Sequence, residues 1–223
     1  MVRLPFENRR SAGNLLAQSL VAYRNQRDLV VLALPRGGVP VAARVAEFLN
    51  APLDVMIVRK LGTPGQKELA MGAIASGGVL VLNEQLIASA GIDQETIDHI
   101  STCELVELKK REQMYRKGRS SIKLKGQTVL LVDDGLATGT SMRAAVQAVQ
   151  SSEAGRVIVA VPVAPPDTIE DLYQIADDVV CLQTPEPFGG VGLWYLDFRQ
   201  ITDEEVIGLL HDAQTHSQKS NIE

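Results

Sequence analysis

The chain has 223 residues, 45% hydrophobic and 22% charged, and its 22 Lys+Arg against 27 Asp+Glu give a formal charge of −5. That is globular composition, long enough for one domain to remove about 70% of the unfolded surface from water, and too acidic to offer a nucleic-acid backbone more than a local basic patch. No stretch approaches the ~18 apolar residues of a membrane helix, residues 1–10 have no apolar run after their charges, and Cys103 and Cys181 suit neither a zinc cluster nor a disulfide framework, so a soluble cytoplasmic protein is expected.

With nine aromatic residues in the whole chain, the core must be built from Val, Leu, Ile and Ala, which favours helices layered on buried strands. An N-terminal helix is expected around residues 14–23, followed by apolar, β-rich runs at 29–34, 53–58, 79–82, 128–132, 157–163 and 179–182. Most are separated by segments of helical spacing, and this alternation predicts an α/β fold with an open, mostly parallel sheet flanked by helices.

The first run ends in Ala-Leu-Pro-Arg-Gly-Gly (33–38). Consecutive glycines let the backbone approach an anion, and the Arg36 guanidinium can make a bidentate contact to it; the alternative is a plain strand-to-helix turn with a solvated arginine. The second run ends in Arg59-Lys60, either a functional cation pair or two solvated strand-end charges. Residues 61–78 (LGTPGQKELAMGAIASGG), with five glycines, a proline and no clear period, read as a long mobile loop, functional or a disordered connector, that contains Lys67 and Glu68. After Gly91, Asp93 caps a helix reaching to about 117, with an Ile92–Ile97 staple and the pairs Glu107–Arg111 and Glu112–Arg116.

Residues 129–141 (VLLVDDGLATGTS) carry the strongest signal. A buried strand leads to two carboxylates, then a Gly/Thr-rich turn, then a helix. Gly135, Ala137 and Gly139 allow close backbone approach, Thr138, Thr140 and Ser141 offer hydroxyls, and the helix start offers unpaired N–H groups: a phosphate cradle. Asp133 and Asp134 can accept hydrogen bonds from a sugar diol or help to hold Mg²⁺. No lysine follows the glycines and no G-x-G-x-x-G is present, so neither a Walker A nor a dinucleotide fingerprint explains the run. Phosphate beside diol suggests a ribose 5-phosphate.

Four of the nine aromatics fall within eleven positions, Phe188, Trp194, Tyr195 and Phe198, flanked by glycines. They form a platform for a planar acceptor, or a small core or dimer contact. Thr202 with Glu205 reads as a capping box for a terminal helix of about ten residues, and 215–223 as a frayed polar tail. The histidines, His99, His211 and His216, show no metal spacing.

The run at 129–141 resembles the phosphoribosyl pyrophosphate (PRPP) motif of the type I phosphoribosyltransferases, with two departures: Gly135 replaces a branched apolar residue, and Ala137 stands where Thr is common. Arg36, Gly37 and Gly38 match the family's pyrophosphate loop, which often contains a cis peptide. Arg59 and Lys60 are similar to the Arg-Lys pair that precedes a closing loop in the adenine and orotate enzymes. The resemblance, over about 29–182, implies a single domain at 1–214 with its core at about 28–183, and a small hood from 184–199 and the N-terminal helix.

It further implies transfer of 5-phosphoribosyl from PRPP to a nitrogen of a base or other planar acceptor, with Mg²⁺ and release of pyrophosphate. Arg59, Lys60 and Lys67 would serve the departing group and Arg36, Gly37 and Gly38 would bind it. Asp133 and Asp134 would hold the ribose, Ala137, Thr138, Gly139, Thr140 and Ser141 the 5′-phosphate, and Phe188, Trp194 and Tyr195 the acceptor. Homodimers are common in the family. The rival expectations are a non-catalytic PRPP- or nucleotide-sensing regulator of the same fold, and a hydrolase.

Overall fold

The structure, a computed structural model, describes residues 5–118 and 120–219, without the side chains of Lys67, Glu68 and 216–219. The chain opens with α1 (Arg9–Ser19), β1 (Leu29–Ala33), α2 (Gly38–Leu49) and β2 (Leu53–Val55). It continues through β3 (Val58–Thr63), β4 (Gln66–Ala75), β5 (Val79–Leu82), α3 (Glu84–Ala90) and α4 (Gln94–Arg116). It closes with β6 (Thr128–Val132), α5 (Thr140–Ser151), β7 (Arg156–Val163), α6 (Pro166–Tyr173), β8 (Asp178–Gln183) and α7 (Asp203–Lys219).

The main sheet has the order β2-β1-β6-β7-β8, every pair parallel. Its strands are short and β-branched because both faces are covered. Leu29, Val31 and Ala33 of β1 pack with α1, α2 and α7 on one side, while Val30 and Leu32 pack with α5 and α6 on the other. Residues that alternate along one strand therefore enter two separate cores. The chain builds outward from β1 to β2, then returns to place β6 on the other side of β1. The loops after β1 and β6 diverge there, and in an open parallel sheet that reversal makes the ligand crevice.

Between β2 and β6 the chain leaves this sheet. The 53–58 run stops at Val55, and β3, β4 and β5 form an antiparallel sheet of their own. The mobile loop expected at 61–78 is therefore a strand pair. Its glycines serve turns and close packing: Gly65, Gly77 and Gly78 have positive φ at the two hairpin turns, and a Cβ on Gly72 would sit 2.4 Å from the Val81 carbonyl oxygen. Leu61, Met71, Ala73, Ile74 and Ala75 are buried. A period hidden by turn residues is a hairpin signature that composition alone misreads as disorder.

The caps behave as the sequence predicts. Asp93 accepts from the Thr96 amide at 2.7 Å. The Thr202 amide donates to Glu205 and the Glu205 amide to the Thr202 hydroxyl. Arg116 pairs with Glu112, but Glu107 takes Lys110, one residue nearer than the expected Arg111. Helix α7 is longer than ten residues and runs into the expected tail as far as Lys219; residues 220–223 lie outside the described residues. No helix among the described residues is long and apolar enough to cross a membrane.

The C-terminal end of α4 is tied to the main sheet through one buried carboxylate. Asp54, the middle residue of β2, accepts from Arg116 Nε at 3.0 Å and from the Val55 and Ile122 amides. Asp54→Ala leaves the largely buried Arg116 with less counter-charge and two amides without their acceptor. It is expected to cost about 3 kcal/mol, read as a lower urea midpoint in equilibrium unfolding.

Candidate functional site

The crevice is built where Ala33 and Val132 lie opposite each other at the ends of β1 and β6. The Leu34 amide donates to the Val132 carbonyl and the Gly38 amide to the Leu34 carbonyl. The two outgoing loops are thus tied before they diverge. The Pro35–Arg36 peptide is cis, as the family resemblance implies for this loop. A Cβ on Gly37 would lie 2.1 Å from Asp134 Oδ2, and one on Gly38 would lie 2.7 Å from the Val132 oxygen and 3.0 Å from Asp133 Oδ1. These glycines are needed to pass the acid pair itself, besides any approach to an anion.

The two aspartates are not equivalent, which corrects the expectation that both face a ribose. Asp134 turns inward: Arg9 Nε donates to its Oδ2 at 2.6 Å and the Tyr195 hydroxyl donates to its carbonyl at 2.5 Å. Arg9 is itself locked, one Nη donating to the Arg199 carbonyl at 2.8 Å and the guanidinium lying 3.9 Å from the centre of the Phe198 ring. Asp133 is only partly buried, and its Oδ1 accepts from the Asp134 amide at 2.8 Å. Burial, and after it the charge of Asp134, push the Asp133 carboxyl well above the usual range. Burial raises Asp134 too, but Arg9 opposes the rise. Asp133 is therefore the acid left facing the crevice.

Residues 137–141 are braced from behind. The buried Thr168 of α6 donates from its hydroxyl to the Ala137 carbonyl at 2.9 Å, and Arg143 donates to the Thr138 carbonyl at 3.1 Å. Gly139 has φ +67°, and a Cβ there would lie 2.8 Å from Thr168 Cγ2, so both conformation and space require glycine. The Thr138 and Thr140 hydroxyls are 3.1 Å apart. The first N–H groups of α5 have no carbonyl within their own helix. The turn thus presents donors of the kind that bind phosphate. Gly135 departs from the family's branched residue because Val191 fills that space: its Cγ1 would be 2.6 Å from a Cβ.

The cations divide. Arg59 turns away and binds Glu104 of α4, its Nε donating at 2.7 Å, so the expected Arg-Lys pair does not act together. Lys60 is exposed on the opposite face of β3. Its cross-strand partner Ala73 lines a cleft with Thr140 and Arg143, beside the turn at 137–141. Arg36 is partly exposed, 3.7 Å from Asp203. Lys67 lies on β4 next to the hairpin turn, and its side chain is outside the described residues.

The aromatic cluster is mostly a miniature core. Tyr195 is 6% exposed and packs between Phe6 and Phe198, with ring centres at 5.4 and 5.2 Å, so the structure removes it as a platform for a base. Trp194 donates its indole N–H to the Phe188 carbonyl at 3.0 Å. Phe188 is partly buried and lies near the Trp194 ring, with ring centres 6.2 Å apart. Among the described residues no group of three or more His, Cys, Asp and Glu could hold a metal.

Asp133→Asn removes the repulsion within the pair. A carboxyl whose folded pKa is raised destabilises the fold above that pKa, and the penalty disappears below its unfolded value near 3.9. The variant is therefore expected to melt higher than wild type at pH 8, by about 2–4 °C for each kcal/mol relieved, and the gap should close as pH falls toward 4 in calorimetric scans. Gly37→Ala, by contrast, is expected to lower the melting temperature at every pH, because its methyl has no space beside Asp134.

A family model for the phosphoribosyl transferase domain matches residues 7–197. Proteins from two strains of Mycobacterium tuberculosis, both provisionally named phosphoribosyl transferases, are 46% identical over 208 residues, which is 93% of this chain and 47% of each relative. The chain thus spans about half the length of these curated relatives. A crystal structure of the TT1426 protein from Thermus thermophilus matches with a TM-score of 0.83 at 44% identity, covering 94% of this chain and 99% of that one. The matched span holds both glycine-bearing loops, the acid pair between them and all of the main sheet, and on this ground the chain belongs to the phosphoribosyl transferase family.

Proposed function

We propose that the protein transfers 5-phosphoribosyl from PRPP to a nitrogen of a planar acceptor and releases pyrophosphate. The observation that carries this reading is the pairing of loops at the switch point. A braced phosphate turn at 137–141 and the outward Asp133 follow β6, and a two-glycine loop bearing Arg36 packs directly against them. A phosphate, a diol and a second, larger anion are thereby received side by side, in the order in which PRPP presents them.

The roles follow from charge. As the bond from C1 to pyrophosphate breaks, negative charge grows on the leaving group, and Arg36 with Lys60 would stabilise it electrostatically. Asp133 would accept from the ribose hydroxyls, and the amides and hydroxyls of 137–141 would hold the 5′-phosphate. Magnesium, when bound with PRPP, would supply further neutralisation of the pyrophosphate, and of the aspartates only Asp133 is free to meet it. The antiparallel sheet β3-β4-β5 with α4 would form the hood, its exposed hairpin tip at 64–66 taking the place of a closing loop. Phe188 and Trp194, both partly exposed, are the remaining aromatics for the acceptor.

Calorimetric titration of PRPP with Mg²⁺ should show binding to the wild type, weakened about 10- to 100-fold by Asp133→Asn, the loss of charge-assisted hydrogen bonds worth ~1.5–3 kcal/mol. Pyrophosphate release should require an acceptor when purines, pyrimidines and other planar heterocycles are supplied; release without one would indicate a hydrolase. The ion pair that withdraws Arg59 from the site favours, as a second reading, a protein that senses PRPP without turning it over. Binding with no release across the panel would select it, and absence of binding would remove both.

A further inference from the structure

Arg36 is the only cation in the loop 34–38, and its surroundings hold a residue outside the matched family span. Its guanidinium is turned toward the start of α7, where an Nη lies 3.7 Å from Asp203 Oδ1. That distance is ion pairing without a hydrogen bond, and both side chains are about one-third exposed. The same Asp203 oxygen accepts the hydroxyl of Tyr115 at 2.6 Å, and Tyr115, in the last turn of α4, is completely buried in the core. Asp203 also sits in the first turn of a helix whose start is fixed by the reciprocal Thr202–Glu205 cap. One partner is held rigidly, and the other rests against it by charge alone.

We propose that Asp203 is a positioning residue for Arg36: it is the resting counter-ion that parks the guanidinium at the mouth of the loop and yields it to an incoming diphosphate. The inference rests on the reading of 34–38 as a pyrophosphate loop. An exposed ion pair at 3.7 Å is weak, whereas an arginine fork on phosphate oxygens makes two short charge-assisted hydrogen bonds. The diphosphate therefore wins the exchange but must first displace the carboxylate. The geometry gives Asp203 a second, purely structural effect of opposite consequence, since a carboxylate in the first turn of α7 stabilises that helix.

The test is titration of inorganic pyrophosphate with Mg²⁺ into the full chain at about 0.15 M salt, where charges more than ~8 Å away are screened. Asp203→Asn, which can still accept from Tyr115, is expected to bind pyrophosphate about two- to five-fold more tightly, with an unchanged or lower melting temperature. Asp203→Ser, well suited to a helix start, should show the same direction if the first variant folds poorly. Arg36→Gln should weaken binding, and adding Asp203→Asn to it should produce no gain.

A structural role for Asp203 predicts weaker binding together with lower stability. Unchanged or weaker binding by both Asp203 variants overturns the proposal, as does an equal gain in the Arg36→Gln background, while leaving the pyrophosphate loop intact as a reading. A wild-type chain that does not bind pyrophosphate overturns that reading and the proposal with it.

Discussion

The ion pair between Arg9 and Asp134 is the contact on which the rest of the site depends. A carboxylate buried at the end of a central strand is costly unless a cation and hydrogen bonds meet it. Here the cation comes from the first turn of α1, the hydrogen bond to the Asp134 carbonyl from Tyr195, and the stacking surface for the guanidinium from Phe198. Segments far apart in the chain thereby converge beneath one peptide. Without them Asp134 could turn outward, and two like charges would compete for the crevice. With them, only Asp133 of the pair is left partly open to the crevice.

Steric constraint complements this electrostatic one. Gly37 and Gly38 lie so close to the two carboxylates that any side chain would push the loops apart. The crevice is therefore narrow at its floor, and its width is set by the absence of two Cβ atoms. Gly139 does the equivalent at the phosphate turn, where Thr168 occupies the space a methyl would need and holds the Ala137 carbonyl. A loop braced in this way can hold its amides aligned without a ligand, which is what a pre-organised anion site requires.

Much of this is legible in the sequence, and what is not has a common cause. The parallel strands are continuous runs of Val, Leu and Ile because they are covered on both faces, and the phosphate turn is a contiguous motif whose glycines and threonines lie next to one another. Both signals are local. Arg9, Thr168 and the inward role of Tyr195 are hidden because each acts on residues far along the chain, and nothing in RRSAGN or PDTIED marks a partner for the acid pair. Arg59 looks like a site residue for the same reason: its neighbour Lys60 is plain in the sequence, its ion-pair partner Glu104 is not. The strand pair at 61–78 is obscured on other grounds. Short small-residue strands with glycine at both turns carry little hydrophobic period, and only their burial against α4 and α5 shows that they are ordered.

The crevice floor keeps one carboxylate, Asp133, whose ionised form is disfavoured by burial and by its neighbour, so it gains from any ligand that brings donors or a cation to it. Arg36 rests beside Asp203 and Lys60 is exposed on β3, and either would gain from an anion. On the proposed reading, a ligand that is at once a hydroxyl donor, a metal carrier and a polyanion would satisfy both the carboxylate and the cations, whereas a simple phosphate would satisfy only the cations. On that reading the site would discriminate by requiring several groups together, because an anion must displace Asp203 from Arg36, and the like charges of Asp133 and Asp134 favour a ligand that brings donors or a cation with it. Selectivity of this kind comes from the charges that must be displaced as much as from the contacts that are gained.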